Sequence, residues 1–171
     1  MLRTYPKHPF VGVGVVVGRR ADNGRGQENG RPERDPERDN DVDILLVRRG
    51  KPPYEGRWSL PGGAQKIGET VRNTAKREIQ EETGIDIALL GLLDVVDYIE
   101  KDDAGDVRRQ YALVDYAARW VSGPARAGDD VTEVVWTPIN DLCAFDLWSE
   151  TRRVIALADR MFRGMQGMMA E

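Results

Sequence analysis

The sequence of 171 residues contains one cysteine, Cys143, and one histidine, His8. A single cysteine cannot form a disulfide within the chain, and the two residues cannot supply the usual cysteine and histidine ligands of a zinc site. A nucleophile activated by histidine would have to rely on His8, next to the N-terminus. We therefore expect any chemistry to rest on carboxylates, and we interpret Cys143 as a core residue.

Long apolar runs and an excess of basic residues are also absent. The apolar run at 10–17 is too short to cross a bilayer, and no signal-peptide cleavage site follows it. The formal net charge of −4 differs from the basic charge that is typical of nucleic-acid-binding proteins. These features predict a cytoplasmic protein with no membrane or nucleic-acid partner. The length favours one domain over residues 1–171.

Hydrophobic periodicity predicts an α/β protein. Alternation with a period of two indicates strands at 10–19, 43–49, 85–98, 107–121 and 132–137. Thr70 to Thr83 lacks glycine and proline and has apolar residues at helical spacing, which predicts a helix that ends at Gly84. A second helix is predicted around 154–162, and it is expected to stop at Gly164, before a frayed methionine-rich tail.

A segment at about 20–42 consists mostly of charged residues, glycine, asparagine and proline. Such a composition offers little to a core, so we interpret it as a solvated insertion between two strands. A lid or a partner contact is the alternative interpretation. Gly12 and Gly14 superficially resemble a dinucleotide-binding loop, but they lie inside the first predicted strand and no helix follows.

The predicted helix carries three glutamates, Glu78, Glu81 and Glu82, at positions i, i+3 and i+4. At this spacing their carboxylates share an arc of roughly 100° on one face of the helix. Like charges so close together are costly unless a cation compensates them. Hard oxygen ligands without histidine or thiolate favour magnesium, manganese or calcium. A solvated acidic face beside Lys76 and Arg77 is the alternative interpretation.

The wider sequence pattern resembles the Nudix box, a motif that covers residues 63–85 here. Its nine fixed positions are occupied by Gly63, Glu69, Arg77, Glu78, Ile79, Glu81, Glu82, Gly84 and Ile85. The approach at 58–63 is also similar to that of the family. The resemblance implies a Nudix-type α/β/α sandwich with a central mixed sheet. It also implies magnesium-dependent hydrolysis of the diphosphate in a nucleoside diphosphate derivative, with Mn²⁺ as a substitute ion.

Carried over by position, the resemblance implies that Glu78 and Glu82 bind Mg²⁺ together with the backbone carbonyl of Gly62. Glu81 is implied as a further ligand or as the base that prepares a water molecule. Arg77 would be catalytic by orienting the glutamates through charge-assisted hydrogen bonds. Glu69 would support the geometry of the loop and the helix through Arg77.

Candidates outside the box are weaker. In several Nudix enzymes an acidic residue from a late loop joins the site, and the candidates here are Asp129, Asp130 and Glu133. We favour Glu133 as the catalytic residue because it lies within the last predicted strand. Arg48 and Arg49 lie at the end of the second strand, close to the box, and are candidates for binding substrate phosphate, although a surface role is the alternative.

Aromatic residues near the box could stack on a nucleobase, and the candidates are Tyr54, Trp58 and Tyr98. Packing in the core is the preferred interpretation of Trp58, which lies in an apolar stretch.

The sequence leaves the substrate open. The first strand and the loop at 48–53 resemble the ADP-ribose pyrophosphatase branch, although Lys101 stands where some of those enzymes have proline. The alternatives are a pyrophosphohydrolase of damaged nucleoside triphosphates and a non-catalytic module that senses ADP-ribose. The retained glutamates argue against the sensor, and the lack of histidine chemistry argues against a Nudix-fold isomerase. The resemblance is compatible with a homodimer, and no sequence pattern indicates which surface would form it.

Overall fold

The computed structural model describes residues 4–20, 42–52 and 54–168. The charged insertion predicted at about 20–42 lies outside these residues, except for Arg20 and Val42, which belong to flanking strands.

Within the described ranges the chain forms seven strands, one 3₁₀ helix and two α-helices. In chain order they are β1 (Phe10–Arg20), β2 (Val42–Arg49), β3 (Trp58–Ser59), β4 (Gly62–Ala64), α1 (Val71–Thr83), β5 (Asp86–Lys101), β6 (Val107–Ser122), β7 (Val131–Pro138), the 3₁₀ helix Ile139–Ala144 and α2 (Ser149–Met168). The five strands predicted from alternation are all present, and the hairpin between β5 and β6 turns at the charged tip.

The strands form one mixed sheet in the order β3-β2-β1-β6-β5, with β4 also paired to β1 and β7 to β2. The pairing of β1 with β6 is parallel, and it places Gly14 beside Asp115. The other strand pairs are antiparallel, including the pairing of Gly14 with Gly62 across β1 and β4. This arrangement confirms the α/β class and the central mixed sheet.

Alternation along β1 divides the core between the two faces of the sheet. Val13, Val15 and Val17 pack on one face with Ala75 and Ile79 of α1. The other face packs against α2, where Val16 belongs to the same cluster as Val154, Ile155 and Phe162. The sheet therefore lies between two helical layers, as expected of an α/β/α sandwich.

Helix α1 has the ends that the sequence predicts. The Thr70 side-chain oxygen accepts a hydrogen bond of 3.1 Å from the amide of Asn73, which caps the N-terminus. Gly84 ends the helix in the left-handed conformation with φ of 69°, and its amide donates to the carbonyl of Gln80.

Two predictions near the C-terminus are wrong. Helix α2 continues through Gly164 to Met168, because a glycine within a helix costs only about 1 kcal/mol and nothing crowds this position. Cys143 is exposed rather than in the core, because the 3₁₀ helix turns Leu142 inward instead.

None of the helices in the described part of the chain combines the length and the apolar character needed to span a membrane.

Candidate active site

A glycine turn holds the backbone of β4 against the acidic face of α1. The amide of Gly62 donates a hydrogen bond of 2.9 Å to Oε2 of Glu82. A Cβ on Gly62 would overlap the carbonyl oxygen of Val13, and a Cβ on Gly63 would overlap the carboxyl group of Glu78. A side chain at Gly62 would therefore push β4 away from β1, and a side chain at Gly63 would push it away from Glu78 of α1.

Arg77 connects the carboxylates of this region. Its guanidinium donates to both oxygens of Glu69, from Nε at 2.5 Å and from the second terminal nitrogen at 2.9 Å. The other terminal nitrogen donates to Glu78 and Glu81, each at 2.8 Å. Glu69 also accepts from the Lys66 amide and the Thr74 hydroxyl. The contact between Glu69 and Arg77 that the resemblance implies is therefore present.

The environments of the glutamates shift their pKa values in opposite directions. Burial raises the pKa of Glu82 to about 7, against the hydrogen bond from the Gly62 amide. Burial also raises the pKa of Glu78, and the adjacent Arg77 only partly opposes it. The hydrogen bonds from Arg77 lower the pKa of Glu69 to about 2. Glu78 and Glu82 are thus desolvated carboxylates that a cation would hold in the ionised form.

The donor set fits a hard divalent ion, since it consists of carboxylate oxygens and backbone carbonyls. Glu78, Glu81, Glu82 and Gly62, the four predicted ligands, all line one cavity. Among the described residues no three acidic, histidine or cysteine side chains converge closely enough to enclose an ion. Binding an ion would therefore require these carboxylate groups to move closer together.

The cavity has a volume of about 960 Å³ and extends from the glutamates across β1 to the N-terminal end of α2. This volume lies in the range of small-molecule sites. The glutamates line one end, and the rest of the lining includes five aromatic residues, which are Tyr54, Trp58, Tyr98, Tyr111 and Trp148.

The predicted aromatic candidates differ in their surroundings. Trp58 packs edge-on against Phe145, with ring centroids 5.1 Å apart, which agrees with the interpretation as a packing residue. Tyr54 is exposed, and its hydroxyl contacts the hydroxyl of Tyr98. Tyr98 also lies edge-on to Trp148 at 5.7 Å, so these residues form a small aromatic wall.

The loop before β7 is attached to the end of α1. The amide of Arg126 donates to the carbonyl of Thr83, and the amide of Gly128 donates to that of Glu82. These bonds bring Asp129 and Asp130 to the cavity, where both line the wall. Asp130 is paired with Lys51, and its charge contributes to the raised pKa of Glu82.

Glu133, the acidic residue that the sequence favours as catalytic, lies outside the cavity lining. Its carboxylate forms an ion pair of 2.6 Å with Arg48, and its side chain is half exposed. Glu133 is not among the residues that line the cavity, whereas Asp129 and Asp130 are. The register of β7 on β2 accounts for this ion pair, because it places Glu133 opposite Arg48, whereas Asp129 and Asp130 lie in the loop before β7.

The two arginines at the end of β2 also differ in whether they line the cavity. Arg48 donates to the carbonyl of Gly56 at 2.9 Å and pairs with Glu133, away from the cavity lining. Arg49 lines the cavity, and its charge acts on Glu82 by lowering the pKa of that carboxyl.

Sequence reasoning missed the far wall of the cavity, formed by Leu113, Asp115 and Trp148. A signal was available for Asp115, which is the single charged residue in the apolar stretch 111–118 of a predicted strand. An acidic residue at such a position is expected to be buried and to have a specific role.

A mixed sheet between two helices is the arrangement expected of the Nudix fold. The glycine turn against an acidic helix is the arrangement expected of its box. The sequence profile of the NUDIX domain family matches residues 34–158, more than half of the chain, and the chain belongs to this family.

Individual relatives have different substrates in their names. The chain is 38% identical over 108 residues to an ADP-ribose pyrophosphatase of Methanocaldococcus jannaschii, with 62% of each chain covered. It is 33% identical over 134 residues to an 8-oxo-(d)GTP phosphatase of Mycolicibacterium smegmatis, which covers 78% of this chain and 36% of that protein. The chain thus spans less than two thirds of the length of these relatives.

The fold is also similar to solved structures. A MutT NUDIX hydrolase from Burkholderia pseudomallei superimposes with a TM-score of 0.65 and 27% identity, over 88% of this chain and 98% of that one. This match supports the α/β/α architecture.

Proposed function

We propose that this protein is a magnesium-dependent hydrolase that cleaves the diphosphate of a nucleoside diphosphate derivative, with ADP-ribose as the preferred substrate. The observation that carries the proposal is the buried carboxylate of Glu82 together with the partly buried carboxylate of Glu78, beside the Gly62 turn at one end of a large cavity. The similarity to the ADP-ribose pyrophosphatase supports the choice of substrate.

In this proposal Glu78, Glu81, Glu82 and the carbonyl of Gly62 hold Mg²⁺. When bound, the ion neutralises the diphosphate oxygens and makes a coordinated water molecule more acidic. Arg77 fixes Glu78 and Glu81 by its hydrogen bonds, so that they are positioned before the substrate arrives. Arg49 is placed to attract the substrate phosphates, because it lines the cavity near Glu82.

The base that accepts the proton of the water molecule is proposed to be Asp130, with Asp129 as the alternative. Asp130 lines the cavity and acts electrostatically on Glu82, whereas Glu133 does neither. Asp130 forms an ion pair with Lys51, and this contact holds its carboxylate at the cavity wall.

A second candidate is a pyrophosphohydrolase of nucleoside triphosphates. The similarity to the 8-oxo-(d)GTP phosphatase favours it, since the box glutamates would serve both reactions and only the base pocket would differ. A non-catalytic sensor is less well supported because all box glutamates are retained.

A substrate panel with Mg²⁺ tests these proposals. The purified chain is incubated with ADP-ribose, other nucleoside diphosphate derivatives and nucleoside triphosphates, and AMP and phosphate products are measured. Glu82→Gln is expected to reduce kcat by roughly 100-fold or more, because it removes a metal ligand. Glu55→Gln serves as the control because Glu55 is exposed on a loop. Absence of turnover for every nucleoside diphosphate derivative, or full activity of Glu82→Gln, would refute the mechanism.

The choice of base is tested separately with Asp130→Asn and Glu133→Gln. General-base catalysis contributes roughly 10²- to 10⁴-fold, so Asp130→Asn is expected to lower kcat by at least 100-fold. Glu133→Gln is expected to lower it far less, since that carboxylate is paired with Arg48. The reverse order of effects would return Glu133 to the catalytic role.

A further inference from the structure

Asp115 is a buried carboxylate in the cavity wall that the proposed hydrolysis does not use. The residue is only 7% exposed, and it lies on β6 directly beside Gly14 of β1. A Cβ added to Gly14 would overlap Oδ1 of Asp115, so the glycine provides the space for the carboxyl group. Burying such a group is costly unless it has a partner or remains neutral.

Arg153, the basic residue whose charge acts on Asp115, forms ion pairs with other acidic residues. Asp94, opposite on β5, forms an ion pair of 2.7 Å with Arg153, and Arg153 also donates to Glu150 at 2.6 Å. Among the described residues Asp115 has no ion pair, and its identified contact is the Gly14 amide, which donates to the carboxyl group. Burial and the charge of Asp94 raise the pKa of Asp115 to about 7. The carboxyl group can therefore carry a proton near neutral pH.

The surroundings of Asp115 suit a flat heteroaromatic ring with a polar edge. Gly12 and Gly14 line the cavity without side chains of their own, and the side chains of Leu113 and Asp115 occupy the space next to them. Leu60 adds a further apolar side chain to the lining. The hydroxyl of Ser59, on the same cavity, is buried and has no hydrogen-bond partner among the described residues. A planar ligand that is apolar on its faces and hydrogen-bonding at its edge would fill this region.

The distance between Asp115 and the glutamates beside Gly62 is also suitable for a nucleoside. Gly14 pairs with Gly62 on one side and with Asp115 on the other. Two strand spacings, roughly 10 Å, therefore separate the backbones of Gly62 and Asp115. A nucleotide with its phosphate at the glutamates would extend its base towards Asp115.

We propose that Asp115 binds the amino edge of an adenine base: one carboxyl oxygen accepts a hydrogen bond from the 6-amino group, and the protonated oxygen donates to ring nitrogen N1. This inference rests on the proposed function, because it places the phosphates at Glu78 and Glu82. A purine ring without the 6-amino group keeps the acceptor N1 but lacks the donor, so one oxygen of the buried carboxyl group loses its hydrogen bond to the base.

The test compares Asp115→Asn with Asp115→Leu, since both replacements are uncharged and similar in size to aspartate. Asparagine presents one acceptor and one donor, as protonated aspartate does, whereas leucine presents neither. Binding of AMP and of purine riboside 5′-monophosphate, which lacks the 6-amino group, to the full chain with Mg²⁺ is measured by calorimetry, and kcat/KM is measured for ADP-ribose and for its analogue without the amino group. Asp115→Ala replaces Asp115→Leu if the latter does not fold.

The wild type is expected to favour the adenine compound by roughly 10- to 100-fold, the range of a bidentate base contact. Asp115→Asn should keep this ratio, and Asp115→Leu should reduce it to near one, mainly through KM or Kd. Equal binding of AMP and purine riboside 5′-monophosphate, binding of neither, a preference for GMP over AMP, or an unchanged ratio in Asp115→Leu would overturn the inference. If AMP is preferred but no diphosphate is cleaved, the proposed function fails while the contact between Asp115 and adenine stands.

Discussion

The geometry of the candidate site depends most on one side chain, Arg77. Its planar guanidinium contacts three carboxylates and the carbonyl of Ala64 at once, which a single ammonium group cannot reproduce. The pKa of Arg77 is raised, mainly by its hydrogen bonds to Glu69, so its charge is always present. Arg77 is thus a positioning residue in the proposed mechanism, because its contacts are to carboxylates that would hold the ion.

Replacing Arg77 with lysine is expected to lower kcat/KM by roughly 10- to 100-fold, the effect of losing a group that orients metal ligands. The apparent Kd for Mg²⁺ should rise in parallel, which a loss of stability alone would not cause. Steady-state kinetics at several Mg²⁺ concentrations measures both. Arg72→Lys is the matched control, because Arg72 is exposed on the same helix. Wild-type values for Arg77→Lys would show that the shape of the guanidinium is unimportant.

The pairing of Glu69 with Arg77 is expected to make stability depend on pH. The pKa of Glu69 is about 2 in the folded protein, below its ordinary value of 4.5. The folded state therefore binds fewer protons, and the stabilisation present above pH 4.5 is lost as the pH falls towards 2. Glu69→Gln should lower the urea midpoint at pH 7 and show a smaller further decrease below pH 4.5. Glu55→Gln, at an exposed position, should follow the wild type; parallel curves for Glu69→Gln and the wild type would contradict this expectation.

At the scale of elements, α1 carries most of the proposed chemistry, and its ends are fixed by local interactions. The cap at Thr70 and the left-handed Gly84 determine where the helix begins and ends. The loop at 126–128 then bonds to the last carbonyls of α1, which brings Asp129 and Asp130 to the cavity. The position of the late acidic residues is therefore a consequence of how α1 ends.

Thr70→Ala is expected to lower the free energy of unfolding by about 1 kcal/mol, since it removes the hydrogen bond to the Asn73 amide. Urea denaturation followed by circular dichroism measures the change. Lys76→Ala, at an exposed position in the interior of α1, should change stability by no more than about 0.5 kcal/mol. Equal effects of the two substitutions would mean that the cap contributes nothing.

Much of the secondary structure was predictable because it depends on local patterns. Alternation identified the five long strands, and apolar residues at helical spacing with Gly84 at the end identified α1. The prediction at Gly164 was wrong because packing of the preceding turns against the sheet outweighs the weak helix propensity of glycine. The exposure of Cys143 was missed because the orientation of a 3₁₀ helix depends on the strand before it.

At the scale of the whole molecule, ion binding and folding are expected to be coupled. Glu78 and Glu82 are desolvated in the folded protein, and a divalent ion bound there would stabilise that state over the unfolded chain. One domain over residues 1–171 and a homodimer stay predictions. The coupling gives a test that is independent of catalysis.

Saturating Mg²⁺ is expected to raise Tm by several degrees, since an ion at 100 times its Kd contributes about 2.7 kcal/mol. Chelation with EDTA should reverse the shift. Glu82→Gln should show little or none of it, whereas Glu55→Gln should retain it in full. An identical shift in Glu82→Gln would place the stabilising ion at another site.

The sequence by itself determined the family, the order of the elements and the row of glutamates on α1, because motif spacing and hydrophobic periodicity are local properties. Only the tertiary structure decided which other residues reach the cavity. Strand alternation turns Arg49 towards the glutamates and Arg48 away, and the register of β7 on β2 commits Glu133 to Arg48. Asp115 faces the cavity because parallel pairing places it over Gly14, a contact between residues about a hundred positions apart.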